Sequence, residues 1–159
     1  MNKQMKYLVN EVKSKNEDYV SLIKEFTKFF CPVILEWDGC VLLQFGKNQD
    51  ELPEKFIPNK VVSDRTQFEA TYNHMHLSDI LPNLYKNPEY SLGIALELIE
   101  ILGNDLKASF PQERFHLVIS HDEFGSVVRF YKIRTNEIPW INVDNIDGFK
   151  EEAILIKEI

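Results

Sequence analysis

Residues 88–108, PEYSLGIALELIEILGNDLKA, decide the fold of this chain. Asn87 precedes the proline as a typical N-cap, and Glu89 places an acid in the first turn. The polar positions form one narrow stripe, at Gly93, Glu97, Glu100, Asn104 and Lys107. Because roughly three quarters of the circumference is apolar, we predict a buried helix at the centre of the core, with Leu98 and Ile101 inside it.

Two apolar segments after this helix, RFHLVIS at 114–120 and SVVRFYKIR at 126–134, flank the polar stretch HDEFG. They predict a β-hairpin with a loop of about four residues, in which Ser120 faces Val127. One face then carries the large apolar side chains of Phe115, Leu117, Ile119, Val128 and Phe130. The other face is mixed and carries His116, Val118, Arg129 and Tyr131. We therefore expect this hairpin to have a core side and a wetter side.

A second hairpin is predicted by Asp38-Gly39, a dipeptide that favours a two-residue turn between VILEW and CVLLQFG. Both faces of this hairpin are apolar, so it is either central and covered on both sides, or one face awaits a partner. The register pairs Trp37 with Cys40 and, at about 3.3 Å per residue, separates the sulfurs of Cys31 and Cys40 by roughly 20 Å. A disulfide needs much closer Cα atoms, so we expect two reduced thiols.

The N-terminal segment predicts two helices. Met5, Leu8, Val9 and Val12 share one face of the first. The second has Asn16 as N-cap, an amphipathic stripe over 19–30, and an end imposed by Pro32, because the residue before a proline avoids helical geometry.

Two further strands complete the pattern. QFEATYNHMHL, residues 67–77, alternates loosely and predicts a strand, which a short helical turn follows. EAILIKE, residues 152–158, predicts the last strand. No repeat or linker divides the chain. We predict a single α+β domain over 1–159, with N-terminal helices and one central buried helix packed on a mostly antiparallel sheet.

The composition and the distribution of apolar residues indicate where in the cell the protein is found. The chain has 159 residues, of which 44% are hydrophobic and 27% charged, as is typical of one globular domain. No apolar run approaches the length of about 18 residues that a membrane span needs. The N-terminus also lacks the apolar region of a secretory signal. We therefore expect a cytoplasmic protein with no membrane partner.

The charge distribution bears on the partner. The net charge is −7. Residues 1–30 contain six lysines and four acids, so residues 31–159 carry twelve basic and twenty-one acidic side chains, a net −9. A nucleic-acid binder needs a basic surface, so we expect no nucleic-acid partner. The acidic field would attract a basic protein, although solubility alone also accounts for it.

The histidines offer one catalytic hypothesis. His74 and His76 share a face if they lie on a strand, and an imidazole pair of this kind can bind zinc or copper. A third ligand would have to come from the His116, His121, Asp122 and Glu123 group. The alternative interpretation, which we adopt, is that these are structural or surface histidines and that there is no metal site.

Recognisable catalytic motifs are absent from the sequence. There is no GxSxG elbow, no GxGxxG and no phosphate-binding GxxxxGK[ST], and neither cysteine lies in a CxxC. We therefore expect no catalytic residues, no cofactor and no enzyme activity. A small metal-dependent enzyme that uses His74, His76 and His121 remains the alternative hypothesis.

The C-terminal segment offers a binding hypothesis. Residues 135–159 contain six acids and two bases, interleaved with apolar side chains. Aromatic anchors with acids around them can form a docking surface for a basic protein. We predict that the partner-binding residues are Glu137, Trp140, Asp144, Asp147 and Glu151. The alternative is a loop held on the core by Trp140 and Phe149, with its acids in water.

The tail FGSVVRFYKIRTNEIPWINVDNIDGFKEEAILIKEI, residues 124–159, resembles the end of some small bacterial immunity proteins from polymorphic-toxin systems. Those proteins also end in a strand pair, a Pro-Trp or Trp-rich loop, an acidic aromatic segment and a short apolar strand. The resemblance brings no motif with fixed residue roles. It implies a cytosolic, acidic, non-catalytic inhibitor that caps a toxin domain. Together with the net −9 charge beyond residue 30, this leads us to expect a basic toxin domain, for example a nuclease, whose active site the protein covers.

Overall fold

The computed structural model describes residues 1–15, 33–44, 52–81, 84 and 88–159. The helices are α1 Lys3–Ser14, α2 Arg65–Tyr72, α3 Leu77–Ile80 and α4 Pro88–Ser109. The strands are β1 Val33–Trp37, β2 Cys40–Gln44, β3 Met75–His76, β4 Phe115–Asp122, β5 Gly125–Lys132 and β6 Ala153–Glu158. A 3-10 turn spans Val143–Gly148. The predicted α+β class is confirmed, and all strand pairs are antiparallel.

The larger sheet has the strand order β3-β5-β4-β6. Ser120 of β4 pairs with Val127 of β5, as the sequence predicts. The turn between them is shorter than predicted, because Asp122 already pairs with Gly125 and only Glu123 and Phe124 lie between the strands. β6 pairs with the other edge of β4, which confirms the predicted last strand.

Helix α4 packs on one face of this sheet and forms the main core. It meets the large side chains predicted for the core side, Phe115, Leu117, Ile119, Val128 and Phe130, all of them fully buried. Leu98 is 2% exposed, as predicted, but Ile101 is 38% exposed. The prediction that Ile101 lies in the core is therefore wrong, since the exposed stripe of the helix is wider than its polar residues indicate.

The opposite face of the sheet is not the wetter side that the sequence predicts. Val118 and Tyr131 are at most 1% exposed, and they form a second core with Ala70 of α2, Ile141 and Ile154. Sequence alternation shows which side chains share a face, but what covers that face depends on distant segments.

Helix α2 replaces the strand predicted over 67–77. Asp64 accepts a hydrogen bond from the backbone N–H of Gln67 and so caps the helix. Glu69 and Asn73 then lie one turn apart on the same face and bind neighbouring strands with their side chains. The loose alternation of the sequence is outweighed by this cap and these buried contacts. Only Met75 and His76 form a strand there.

The Asp38-Gly39 hairpin is confirmed and forms its own two-stranded sheet. Asp38 and Gly39 have φ of 45° and 77°, as a tight two-residue turn requires. Among the described residues, the free edge of β2 is bound by α2 rather than by another strand. Val41 N–H donates to Glu69, and Asn73 accepts from Leu43 N–H and donates to the Val41 carbonyl.

Helix α1 is confirmed with Met5, Val9 and Val12 buried. Asn2 caps it by accepting from Met5 N–H and also accepts from Ile154 N–H of β6. The N-terminus is thereby joined to the last strand.

Three predictions lie outside the described residues: the helix over 19–30 with its cap Asn16, the N-cap Asn87, and Cys31. Cys40 is a buried free thiol, and burial raises its pKa to about 12, so it stays protonated at neutral pH. In the described ranges, none of the helices has the length and apolar character needed to cross a bilayer.

Candidate functional site

The candidate site is a cleft of about 480 Å³ on the sheet face that points away from α4. The strand register builds its floor, because His76 pairs with Val127, Val127 with Ser120, and Ser120 with Ile154. Paired residues share a face of a sheet, so these four form one row across it. Arg129 lies on the same face, two residues further along β5.

Arg129 is the only arginine in the described lining of this cleft. Its guanidinium lies over the Trp140 ring, 3.9 Å from the ring centroid, in a cation–π arrangement. The one hydrogen bond it makes to the described residues is a long one, 3.4 Å from Nη1 to the Ala70 carbonyl. Its Nε is buried and has no partner among them. Burial lowers the pKa of Arg129, and the charge of Glu152 offsets part of this effect.

A tight turn closes one end of the cleft. The Asp122 carboxylate accepts from the backbone N–H of Phe124 at 2.8 Å. Gly125 has φ of 125°, a conformation that side chains disfavour, and a Cβ there would lie 3.3 Å from the Ser91 hydroxyl oxygen. The turn is therefore fixed on both sides of Phe124, whose side chain is 67% exposed. An aromatic ring is held in solvent by a well-defined backbone.

Acidic side chains surround this ring. Asp122 and Glu123 on the turn, together with Glu151 and Glu152 before β6, line a second cleft of about 640 Å³ beside the first. The pairing of His121 with Ala153 places the two acidic pairs next to each other. We call these four acids with Phe124 the acidic surface. The residues of the acidic surface come from two segments, 122–124 and 151–152, which are about thirty residues apart in the chain.

His121 lies beneath the turn, on the α4 side of the sheet. Its Nδ1 is 2.8 Å from the Ser126 hydroxyl oxygen, which is 3.1 Å from the Ser91 hydroxyl of α4. His121 is buried, and that burial lowers its pKa. The imidazole is therefore kept neutral by its surroundings and supports the turn.

The structure does not bring together the three histidines of the metal hypothesis. His74 and His76 are exposed and their rings touch edge to face, with centroids 5.4 Å apart. His76 pairs with Val127, on the face opposite to His121 and Ser126. Among the described residues, no three His, Cys, Asp or Glu side chains are placed to hold a metal ion.

Two predicted partner-binding residues point inward. Glu137 accepts from the backbone N–H of Thr66 at 2.7 Å and lies 3.8 Å from the Arg134 guanidinium, so it supports the start of α2. Trp140 packs on the second core and under Arg129. The interpretation of Trp140 as a residue that holds its loop on the core agrees with this geometry.

The other three predicted residues are exposed. Asp144 lies in the 3-10 turn, and Asp147 accepts from the backbone N–H of Lys3 at 3.0 Å. Glu151 belongs to the acidic surface. The structure thus brings Glu151 beside Asp122 and Glu123 rather than beside Glu137.

Sequence reasoning missed Arg129 and Phe124 as site residues. A lone arginine between apolar strand residues, in a chain with only four arginines, was an available signal for the first. For Phe124, the signal was an aromatic residue in the polar turn HDEFG.

No curated protein matches this chain, and no solved structure matches it either. One family model does, over residues 1–159, and the chain belongs to that family, the Uncharacterized protein PM0498 family.

Proposed function

We propose that this protein is a non-catalytic binding module of the immunity type, which docks on a basic toxin domain through the acidic surface and covers its active site. The observation that carries the proposal is the exposed ring of Phe124 within the four acids Asp122, Glu123, Glu151 and Glu152. An aromatic anchor inside a charged rim is the usual arrangement of a binding hot spot.

Two further observations support it. The excess of acids beyond residue 30 gives the chain a field that speeds the approach of a basic partner. The turn that presents Phe124 is fixed by Asp122 and Gly125, so little conformational entropy is lost when a partner binds. The resemblance of the tail to immunity proteins is compatible with both.

The first test uses the neighbouring open reading frame, for which the proposal expects a long chain ending in a small basic domain. Expression of that domain alone should stop bacterial growth, and co-expression of this protein should restore it. A domain whose toxicity is not relieved, or neighbours without such a domain, would contradict the proposal.

The second test locates the surface with purified proteins. Phe124→Ala should raise the dissociation rate by roughly 30-fold, the equivalent of about 2 kcal/mol for a hot-spot aromatic residue. Glu123→Gln with Glu151→Gln should slow association at low salt and flatten its salt dependence. The matched control is Glu97→Gln with Asp105→Asn on α4, which makes the same charge change elsewhere. Equal effects of the two double variants would place the interface outside the acidic surface.

A further inference from the structure

Arg129 differs from the other arginines of the chain in its pairing. The other three each pair with a carboxylate: Arg65 with Asp38, Arg114 with Glu158 and Arg134 with Glu69. Within the described ranges, Arg129 has no carboxylate within 4 Å. In a chain with a net charge of −7, a half-buried guanidinium that contacts no carboxylate directly is unexpected, and the charge of Glu152 acts on it only from beyond that distance.

The hydrogen bonds of Arg129 are also incomplete. A guanidinium has five N–H donors, and Arg129 uses one of them, weakly, on the Ala70 carbonyl. Its Nε is enclosed without a partner in the described part of the chain. A buried donor without a partner destabilises a folded protein, so this arrangement suits a role other than stability.

The surroundings of Arg129 are those of a ligand site. The guanidinium lies over the ring of Trp140, and both side chains line the 480 Å³ cleft. Ser78 and Ser120 also line the cleft, and neither hydroxyl makes a hydrogen bond to a described residue. One cation and two serine residues thus line a single space of ligand size.

We propose that this cleft binds a carboxylate group, with Arg129 as its counter-ion and the Ser78 and Ser120 hydroxyls as further donors. A planar carboxylate can accept two parallel hydrogen bonds from the fork of a guanidinium. A doubly charged phosphate is disfavoured, because Asp122 and Glu152 line the same cleft. The site shares Asp122, Phe124 and Glu152 with the acidic surface, but the binding of a carboxylate at Arg129 does not depend on the docking of a basic partner.

The experiment uses the fluorescence of Trp140. Trp37→Phe removes the other tryptophan, which lies in the β1–β2 hairpin, far along the chain from the cleft. Sodium acetate is titrated against this variant, with sodium chloride at equal ionic strength as control and sodium phosphate as a second anion. We expect a saturable change with acetate, a weaker one with phosphate and none with chloride.

Three variants in the same background connect the signal to the cleft. Arg129→Met should weaken acetate binding by about ten- to a hundredfold, the range for hydrogen bonds to a charged group. Arg114→Met, the matched control at an exposed arginine, should leave it unchanged. Glu152→Gln should strengthen acetate binding, because it removes a competing carboxylate.

Any of three results would overturn the proposal. The first is a folded Arg129→Met variant that binds acetate as the parent does, and the second is a chloride response equal to that of acetate. The third is a Glu152→Gln variant with unchanged affinity, which remains informative if Arg129→Met does not fold. To identify the source of the carboxylate, Gly-Gly-Lys with a free C-terminus is compared with its amide. Tighter binding of the free peptide than of both its amide and acetate indicates a peptide carboxylate, and free-peptide binding no tighter than that of acetate indicates a small molecule.

Discussion

Two arginines near the C-terminal half of β5 have opposite surroundings. Arg134 donates to both oxygens of Glu69, at 2.7 and 2.8 Å, and to the Gly39 carbonyl at 2.7 Å. Glu69 is fully buried and also accepts from the backbone N–H groups of Val41 and Lys132. Arg129, by contrast, lies on an aromatic ring beside a cleft, with one long hydrogen bond.

The comparison separates a structural charge from one that is available for binding. At Arg134, both terminal guanidinium nitrogens and both Glu69 oxygens are hydrogen-bonded, and the network joins the hairpin, α2 and the end of β5. Burial by itself would lower the pKa of Arg134, but its hydrogen bonds to Glu69 raise it. At Arg129, burial lowers the pKa, the charge of Glu152 offsets only part of this effect, and no hydrogen-bonded carboxylate restores it. The same residue type thus stabilises the sheet at Arg134 and lines an open cleft at Arg129.

The largest expected effect is at Arg134, the arginine that pairs with the buried Glu69. Arg134→Met leaves the buried Glu69 without its counter-ion, so we expect the free energy of unfolding to fall by about 3–5 kcal/mol. Urea denaturation monitored by circular dichroism measures it. Glu69→Gln should cause a loss of similar size, and a loss below about 1 kcal/mol in both would show that the network is not a structural centre.

The same substitution at the other arginine should act in the opposite direction. Arg129→Met removes an unsatisfied buried donor and loses the cation–π contact with Trp140. We expect the free energy of unfolding to stay the same or to rise by about 1 kcal/mol. Urea denaturation of the variant and of the parent protein under the same conditions measures the difference. A decrease as large as that of Arg134→Met would mean that Arg129 is a structural residue as well.

The histidine beneath the turn should make stability depend on pH. Because burial lowers the pKa of His121 in the folded protein, the unfolded chain binds a proton first as the pH falls. Its contribution to stability is therefore complete above pH 6.5 and decreases below it. We expect His121→Gln to lose less stability than the parent when the pH falls from 7.5 to about 5. The urea midpoints of the two proteins across this pH range measure the difference. His116, whose pKa burial also lowers, should account for part of what remains.

The smallest expected effect is at Arg114, and it serves as the reference for the substitutions at Arg134 and Arg129. Arg114 pairs with Glu158 at the surface, where the Arg114 side chain is 67% exposed. Exposed ion pairs contribute about 0–1 kcal/mol, so Arg114→Met should change the free energy of unfolding by no more than about 1 kcal/mol. Urea denaturation in the same series measures it, and a loss of several kcal/mol would show that charge removal alone, rather than burial, explains the effect at Arg134.

Local patterns in the sequence determined much of the architecture. The proline-started helix 88–109, the Asp38-Gly39 turn, the Ser120–Val127 register and the last strand all follow from signals within a few residues of each other. These signals are reliable because turn chemistry, caps and apolar periodicity act along the chain. They did not reveal α2, because Asp64 favours the start of a helix whereas the loose alternation of residues 67–77 favours a strand.

Only the tertiary structure decided the site. The sequence indicated acids and an aromatic residue near the C-terminus, but the pairing of β4 with β6 brings Glu151 and Glu152 to the turn that presents Phe124. The difference between Arg129 and Arg134 is likewise invisible in the sequence, because it depends on Glu69 being close to one and not to the other. Partners in space, rather than neighbours in the chain, determine whether a buried charge stabilises the fold or faces a ligand.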